Sequence, residues 1–350
     1  MLISIDFSYF FHQFDKILST KYNFPMDIKH VEIRYHEKAP FHAEICRIEK
    51  MAPHYHDTSL ELLFCLEGEV NYVAGAQRGV ITEGQVFSID FEVIHYLYSD
   101  VPNTVLIFHL DLTGMNRPWE ELQYFLLACE STHCYPYQIS SMNKVKDLIL
   151  ALSLEYFTGC SHPEESRATA NALLELLIRH FNYYNYYNPD DYMDEELQER
   201  FYHILRYCFD HYTKKITLSD LAEAVHISKN YLSQYIRNTS FVSFTFMLKV
   251  LRCYKAERLL LTTRMSNAEI AFACGFSDSK YLYSAFESIW GYSPYSHRKS
   301  YRAYMRQQES SQKLSTEEAA AQIRGQIIDW HMNKNMLEEN PGIAQTVIII

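Results

Sequence analysis

Two groups of residues have types and spacings that could do chemistry. In the N-terminal half, residues 54–68 read HYHDTSLELLFCLEG. His54 and His56 are two apart, so in a strand they share a face. Glu61 follows five residues later, and His95 comes after Gly84 with ten residues between them. Imidazole and carboxylate groups brought together are ligand types for a divalent cation. In the C-terminal half, Lys229, Asn230, Ser233, Gln234 and Arg237 fall on one polar helical face, and Asp278, Ser279, Lys280, Tyr283 and Ser284 on another. Asn and Gln can pair with adenine, and Lys can reach the acceptors of guanine, when such a face lies in the major groove.

These faces need a scaffold, and the C-terminal sequence supplies one twice. In ITLSDLAEAVHISKNYLSQYIRN (216–238), Leu218, Leu221, Ala222 and Val225 form a helical apolar face that breaks at His226. Ser228 can cap the next helix, since its side-chain oxygen can accept an orphan N–H of the first turn. Tyr231, Leu232, Tyr235 and Ile236 are expected inward. In MSNAEIAFACGFSDSKYLYSAFESIWG (265–291), Ser266 caps a helix ending near Cys274. Gly275 permits the sharp turn, Ser277 is the expected cap of the second helix, and Tyr281, Leu282 and Phe286 are expected inward. A long helix over 243–261 would fix the separation of the units. A short helix, tight turn and second helix with a polar face is how a recognition helix enters the major groove. One such pattern is weak and fits a plain helical bundle. Two at this spacing point to DNA.

The N-terminal half reads differently. The runs 43–51, 60–74, 79–89 and 104–112 are short and apolar or alternating, with Gly68, Gly75, Gly79, Gly84 and Pro102 in the breaks. That pattern predicts an all-β barrel or sandwich. After Pro118 the period becomes helical: 142–158 places Val145, Leu148, Leu152 and Tyr156 on one face, and 164–187 places Ala168, Ala172, Leu176 and Phe181 on another. The tyrosine-dense 182–188 and Pro189 with Asp190 and Asp191 suggest a boundary. Residues 316–338 predict a last helix capped by Thr316. The division expected is an N-terminal segment 1–29, a barrel 30–112, a helical linker or dimerisation region 113–190, an all-α domain 194–306 and a helical tail 307–350. The fold class is α+β, multidomain.

Of 350 residues 48% are apolar and 21% charged, which excludes a mainly disordered or low-complexity chain. No run approaches the ~18 apolar residues of a membrane span. The first residues lack a basic n-region and carry Asp6 and Asp15, so a cytoplasmic protein without membrane partners is expected. The eight cysteines form no CxxC pair and read as small buried residues of a reducing compartment. The net charge of −11 conceals a basic segment: 201–306 holds 15 Lys+Arg against 7 Asp+Glu. One basic region on an acidic protein is expected to meet a polyanion.

Residues 216–300 resemble the DNA-binding domain of AraC/XylS-type transcriptional regulators. The resemblance rests on Leu221, Ala222, Ser228, Tyr231 and Leu232; on Arg252, Ala256 and Leu260 of the connector; and on Ile270, Ala271, Gly275, Phe276, Ser277, Phe286, Gly291, Ser293, Pro294 and Arg298. Phe241, Glu287 and His297 depart from the usual Gly, Lys and aromatic. The resemblance implies sequence-specific promoter binding, commonly as a homodimer, with RNA polymerase as a further partner of an activator. It places base reading on Asn230, Ser233, Gln234, Ser279, Lys280, Tyr283 and Ser284. Lys229, Arg237 and Arg298 are expected on phosphates, and Ser228 and Ser277 complete the expected DNA-binding set. Residues 40–112 resemble the cupin signature, HxH with a spaced Glu and Gly, then a second Gly and a distant His. Asp90 and Glu92 stand where that signature has Pro and Gly. In cupin enzymes the matched His54, His56, Glu61 and His95 would bind iron, manganese, nickel or zinc. In a sensor cupin the same residues are polar remnants lining a ligand pocket.

The reading these features favour is a non-enzymatic transcription regulator, its barrel sensing a small molecule such as a sugar, with no cofactor required. Two others stay open: a metal-dependent cupin enzyme with an appended DNA-binding domain, and a ligand-independent DNA-binding protein.

Overall fold

The computed structural model describes residues 28–123, 127–181, 195–240 and 243–339. Most of 1–29, the stretch 182–191, Phe241 and the terminal QTVIII lie outside them. The N-terminal part is a barrel-like sheet and the C-terminal part is helical. The strands are β1 (Lys29–His30), β2 (Phe41–Lys50), β3 (His54–Tyr55), β4 (Ser59–Ala74), β5 (Gln77–Thr82), β6 (Val86–Ile89), β7 (His95–Tyr98), β8 (Asn103–Asp111) and β9 (Ser310–Lys313). The helices are α1 (Trp119–Leu122), α2 (Ile139–Phe157), α3 (Pro163–Phe181), α4 (Glu195–His211), α5 (Leu218–Ala224), α6 (Lys229–Ser240), α7 (Phe244–Thr262), α8 (Asn267–Ala273), α9 (Ser279–Trp290), α10 (Pro294–Met305) and α11 (Thr316–Glu339).

The sheet runs β1-β3-β7-β2-β8-β4-β5, and β7 also pairs with β4, so the strands close on themselves. β4 is the spine. Its first half pairs with β8 (Glu61 opposite His109) and with β6, its second half with β5 and β7. The register shifts between Cys65 and Glu67, next to Gly68 at φ +71°. A Cβ there would stand 2.2 Å from the Pro102 carbonyl oxygen, so only glycine fits this bend. Side chains alternate along β4. Leu60, Leu62 and Phe64 face the helices, and Glu61, Leu63 and Cys65 face the barrel interior. Both faces are covered, which is why the strand reads as a continuous apolar run.

Helices α2 and α3 cover the outer face. Val145 and Leu152 are buried there, and Leu148 and Tyr156 half-buried, as the period predicts. On α3 the prediction was rotated: Ala168 and Ala172 face solvent, and the buried stripe is Ala170, Leu173, Leu174, Leu177, Ile178 and Phe181. That stripe has the denser i, i+3, i+4, i+7 spacing of large side chains.

The C-terminal tail returns to the barrel. β9 pairs antiparallel with β2 (Cys46 opposite Lys313), and Ala319, Ala320 and Ile323 of α11 enter the barrel–helix core. Trp330 Nε1 donates to Asp147 Oδ1 of α2 at 2.6 Å. Helix α11 is capped by Ser315, not Thr316: the Ser315 hydroxyl accepts from Glu318 N, and Glu318 accepts from Ser315 N. No described helix is long and apolar enough to cross a membrane.

Candidate functional site

The two helix-turn-helix units are built by the same local rules. Thr217 and Asp220 form a capping box for α5, and Ser266 and Glu269 repeat it 49 residues later for α8. The turn after α5 carries His226 at φ +55°, and the turn after α8 carries Gly275 at φ +77°. The Ser228 hydroxyl accepts from Tyr231 N at 3.3 Å, so α6 is capped as predicted. The cap of α9 is Asp278, whose carboxylate accepts from Lys280 N at 2.7 Å; Ser277 stands one residue outside, exposed. Asp and Ser compete for this role, and the residue with β-region backbone directly before the helix takes it.

Leu232, Tyr235 and Ile236 are buried on α6, as are Leu282 and Phe286 on α9. Tyr231 (45% exposed) and Tyr281 (61%) are not. Each stands beside a buried Leu but turns toward the polar face, lengthening it with an aromatic. Lys229, Asn230, Gln234, Arg237, Lys280 and Ser284 are exposed, and Ser233, Ser279 and Tyr283 half-buried. Tyr283 accepts from Asn267 Nδ2 at 2.5 Å, which ties α9 to the start of α8.

Arg298 is not free for a phosphate. Its Nε donates to the Leu260 carbonyl at 2.8 Å and an Nη to the Met265 carbonyl at 3.1 Å, fastening α10 to the end of α7. Arg252 does the same one unit earlier, donating to the Tyr212 and Lys214 carbonyls at 2.8 Å each. The pair marks the repeat, and its role is internal. His297, the departure from an aromatic, is buried. It contacts Glu257 at 2.7 Å and stacks on Tyr292, so it keeps a ring in place and gives a buried carboxylate a partner. Trp290 Nε1 donates to the same Glu257 oxygen at 3.1 Å.

In the barrel, the structure brings His54, His56, Glu61 and His95 together: a ligand atom from each lies within 4.8 Å of the others. His54 and His95 oppose each other across β3 and β7, and Glu61 points inward from β4. His56 Nδ1 is 2.7 Å from the Val31 carbonyl, His54 Nδ1 2.9 Å from that of Ala52, and His95 Nδ1 2.9 Å from that of Val93. A carbonyl only accepts, so each Nδ1 carries a proton and each Nε2 is the ring atom that faces the cluster. His56 Nε2 and His95 Nε2 stand 3.3 and 3.0 Å from Glu61 Oε2, and all three atoms are buried without a hydrogen-bond partner. Two Nε2 atoms facing one buried carboxylate call for positive charge between them, a proton on an imidazole or a cation, and backbone carbonyls that fix the ring orient the nitrogens as metal ligands are oriented. The donor set therefore fits a divalent cation.

Burial raises the Glu61 carboxyl, but His95 and His56 outweigh it and hold it well below the usual range. Burial, with His95, pushes His54 down to about 3. A further imidazole, His109, lies on β8 with Nδ1 3.1 Å from Ser59 Oγ and 4.0 Å from Glu61 Oε2. Sequence reasoning missed it. The signal was an inward His in an apolar run, opposite Glu61 in the ladder.

The family model described as "Helix-turn-helix domain" matches residues 221–300. The "Uncharacterized HTH-type transcriptional regulator YijO" of Escherichia coli (strain K12) is 32% identical over 108 residues, which is 31% of this chain and 38% of that protein. The chain thus spans well under half the length of that relative. The "HTH-type transcriptional activator RhaR" of Enterobacter sp. (strain 638) is 26% identical over 249 residues, 69% of this chain and 85% of that one. Among solved structures, the C-terminal domain of the two-component response regulator yesN from Fusobacterium nucleatum is 34% identical, with 27% of this chain and 93% of that chain covered and a TM-score of 0.26. Residues 221–300, with their paired helix-turn-helix units, match the helix-turn-helix domain family, and the relatives similar to this segment are transcriptional regulators.

Proposed function

We propose that the chain is a one-component transcription regulator that binds promoter DNA through α6 and α9 under the control of its N-terminal barrel. The observation that carries this reading is the pair of polar recognition faces, exposed on two helices whose separation the single helix α7 fixes. Asn230, Ser233, Gln234, Lys280 and Ser284 read bases, with Ser279 and Tyr283 beside them; Lys229 and Arg237 meet phosphates. Such units reach successive major-groove faces about 34 Å apart on one side of the duplex. The protein acts in the cytoplasm as a homodimer, with α2 and α3 as the dimer contact. It catalyses no reaction. Relatives named as activators support a role with RNA polymerase.

The barrel is the sensing part, and its effector is a small polar molecule, a divalent cation, or both. His54, His56, Glu61 and His95 would hold the cation, which would supply a fixed positive charge and open coordination positions for an anionic or hydroxyl-bearing effector.

Fluorescence anisotropy with upstream DNA, a salt series and a nonspecific competitor tests the reading. Specific binding that falls at least about tenfold in the Asn230→Ala/Lys280→Ala variant, with nonspecific binding unchanged, is expected. Equal loss on specific and random DNA would refute base reading by these side chains.

A further inference from the structure

The cation cluster is not isolated inside the barrel; the residues next to it hold the helix between the two DNA-binding units. Glu92, three residues before His95, has φ +63°. A charged residue is an unfavourable choice there, and the cupin-like signature has Gly at this position. Strained backbone persists where the surroundings hold it for a purpose. The Glu92 N–H donates to the His56 carbonyl at 2.6 Å, so its backbone is fastened to a ligand of the cluster. Its carboxylate leaves the barrel and takes both Lys255 Nζ and Arg258 Nη1 of α7 at 2.5 Å. Arg258 also reaches Asp57, directly after His56, at 3.1 Å, and its guanidinium lies 4.9 Å over the ring of Tyr55, between His54 and His56.

We infer that Glu92, Asp57, Lys255 and Arg258 form a latch that couples occupancy of the His54/His56/Glu61/His95 centre to the setting of α7, and so to the relation of the two recognition helices. The inference rests on the cation reading above and gives that centre its output. A cation drawing His56 and His95 onto one point must move the loop 56–57 and the turn 92–95 together. Both are tied to Arg258 of α7, and the turn to Lys255 as well. Arg252, Leu260 and Glu257 of that helix anchor the neighbouring elements, so α7 cannot shift without altering how α6 and α9 are presented. Coupling of this kind is reciprocal: a latch that transmits occupancy also alters cation affinity when it is cut.

The test uses the full chain and Co(II), whose absorption bands report ligation directly. Glu92→Gly keeps the turn, because glycine accepts φ +63°, and removes the carboxylate that joins the turn to α7. Lys255→Met/Arg258→Met removes the latch from the other side without changing a barrel residue. Co(II) titration followed by hydrogen exchange over residues 244–262 reads both ends. Expected is a Co(II) affinity changed at least about fivefold in both variants, with exchange in α7 responding to Co(II) in the parent chain and not in the variants. Equal affinity in all three proteins, or an α7 response that survives both cuts, overturns the latch while leaving the cation site intact. Absence of Co(II) bands in the parent chain overturns the cation site itself, and the coupling with it.

Discussion

His226 and Gly275 occupy the same place in the two repeats, and they differ in what the backbone asks of them. Both lie at positive φ, where a side chain with a Cβ costs roughly 1 kcal/mol and glycine does not. The first turn thus carries strain that the second avoids. His226→Gly is expected to stabilise the chain by about 0.5 kcal/mol, after the entropy of the added glycine in the unfolded chain is set against the relief. Denaturant unfolding reads it, and a destabilised variant would show that the imidazole makes a contact worth more than the strain. Arg298 and Arg237 illustrate a second distinction, between a basic residue that holds the protein and one that waits for a partner. Arg298→Met breaks two charge-assisted bonds to main-chain carbonyls and should cost about 2 kcal/mol of stability. Arg237→Ala should leave the melting temperature unchanged and lower the salt slope of DNA binding by about 1. The two variants measured side by side separate the roles; equal melting temperatures would deny Arg298 its clamp.

At the scale of elements, the sequence carried the local signals well and the distant ones poorly. Helices α5 to α9 were legible because caps, turn glycine and apolar period agree within windows of about ten residues. The barrel was legible because the glycines of its turns separate alternating runs. The four-residue centre was legible because HxH spacing fixes a shared face whatever the partners are. The inward turn of Tyr231 and Tyr281 was misread, since a helix of twelve residues has room for only one buried stripe and Leu232 and Leu282 occupy it. Strand β9 was invisible. Its residues Ser310–Lys313 are all exposed and have no alternation, and only the side of β2 that β7 meets at Lys50 alone makes them a strand. The tail nonetheless contributes to the barrel core through Ile323, which is fully buried. Ile323→Ala is expected to cost about 2–4 kcal/mol. It should do so in the unfolding of the barrel, followed by hydrogen exchange in β2 and β8, although the residue lies more than two hundred positions away. Loss confined to 307–339 would mean that the tail rides on the barrel without supporting it.

For the molecule as a whole, what matters is how firmly the barrel is held against the helical part. Tyr304 donates to the Met51 and Leu97 carbonyls, Lys50 donates to the Tyr304 carbonyl, and Tyr301 is buried against Ile28, Tyr55 and Ile94. The tyrosine contacts are uncharged and Lys50 keeps its charge in acid, so these ties do not weaken as the pH falls. The Glu92 pair differs. Burial pushes its carboxyl up, but Lys255 and Arg258 more than offset this and hold it at about 2. A carboxyl depressed on folding stabilises the folded state above its unfolded pKa, near 4.5, and loses that contribution as pH falls toward the folded value. The difference amounts to at most about 3 kcal/mol. Glu92→Gln keeps the backbone strain and removes only the charge, so comparing the two proteins isolates this contribution. Their stabilities should differ by a constant amount from pH 8 to about pH 5, and the gap should narrow steadily from about pH 4.5 toward pH 2. A gap as wide at pH 3 as at pH 7 would show that the variant acts through packing and that the ion pair does not hold the two parts together. The expected narrowing would identify the carboxylate as the charged tie between the barrel's imidazole centre and the helix that spaces the recognition faces.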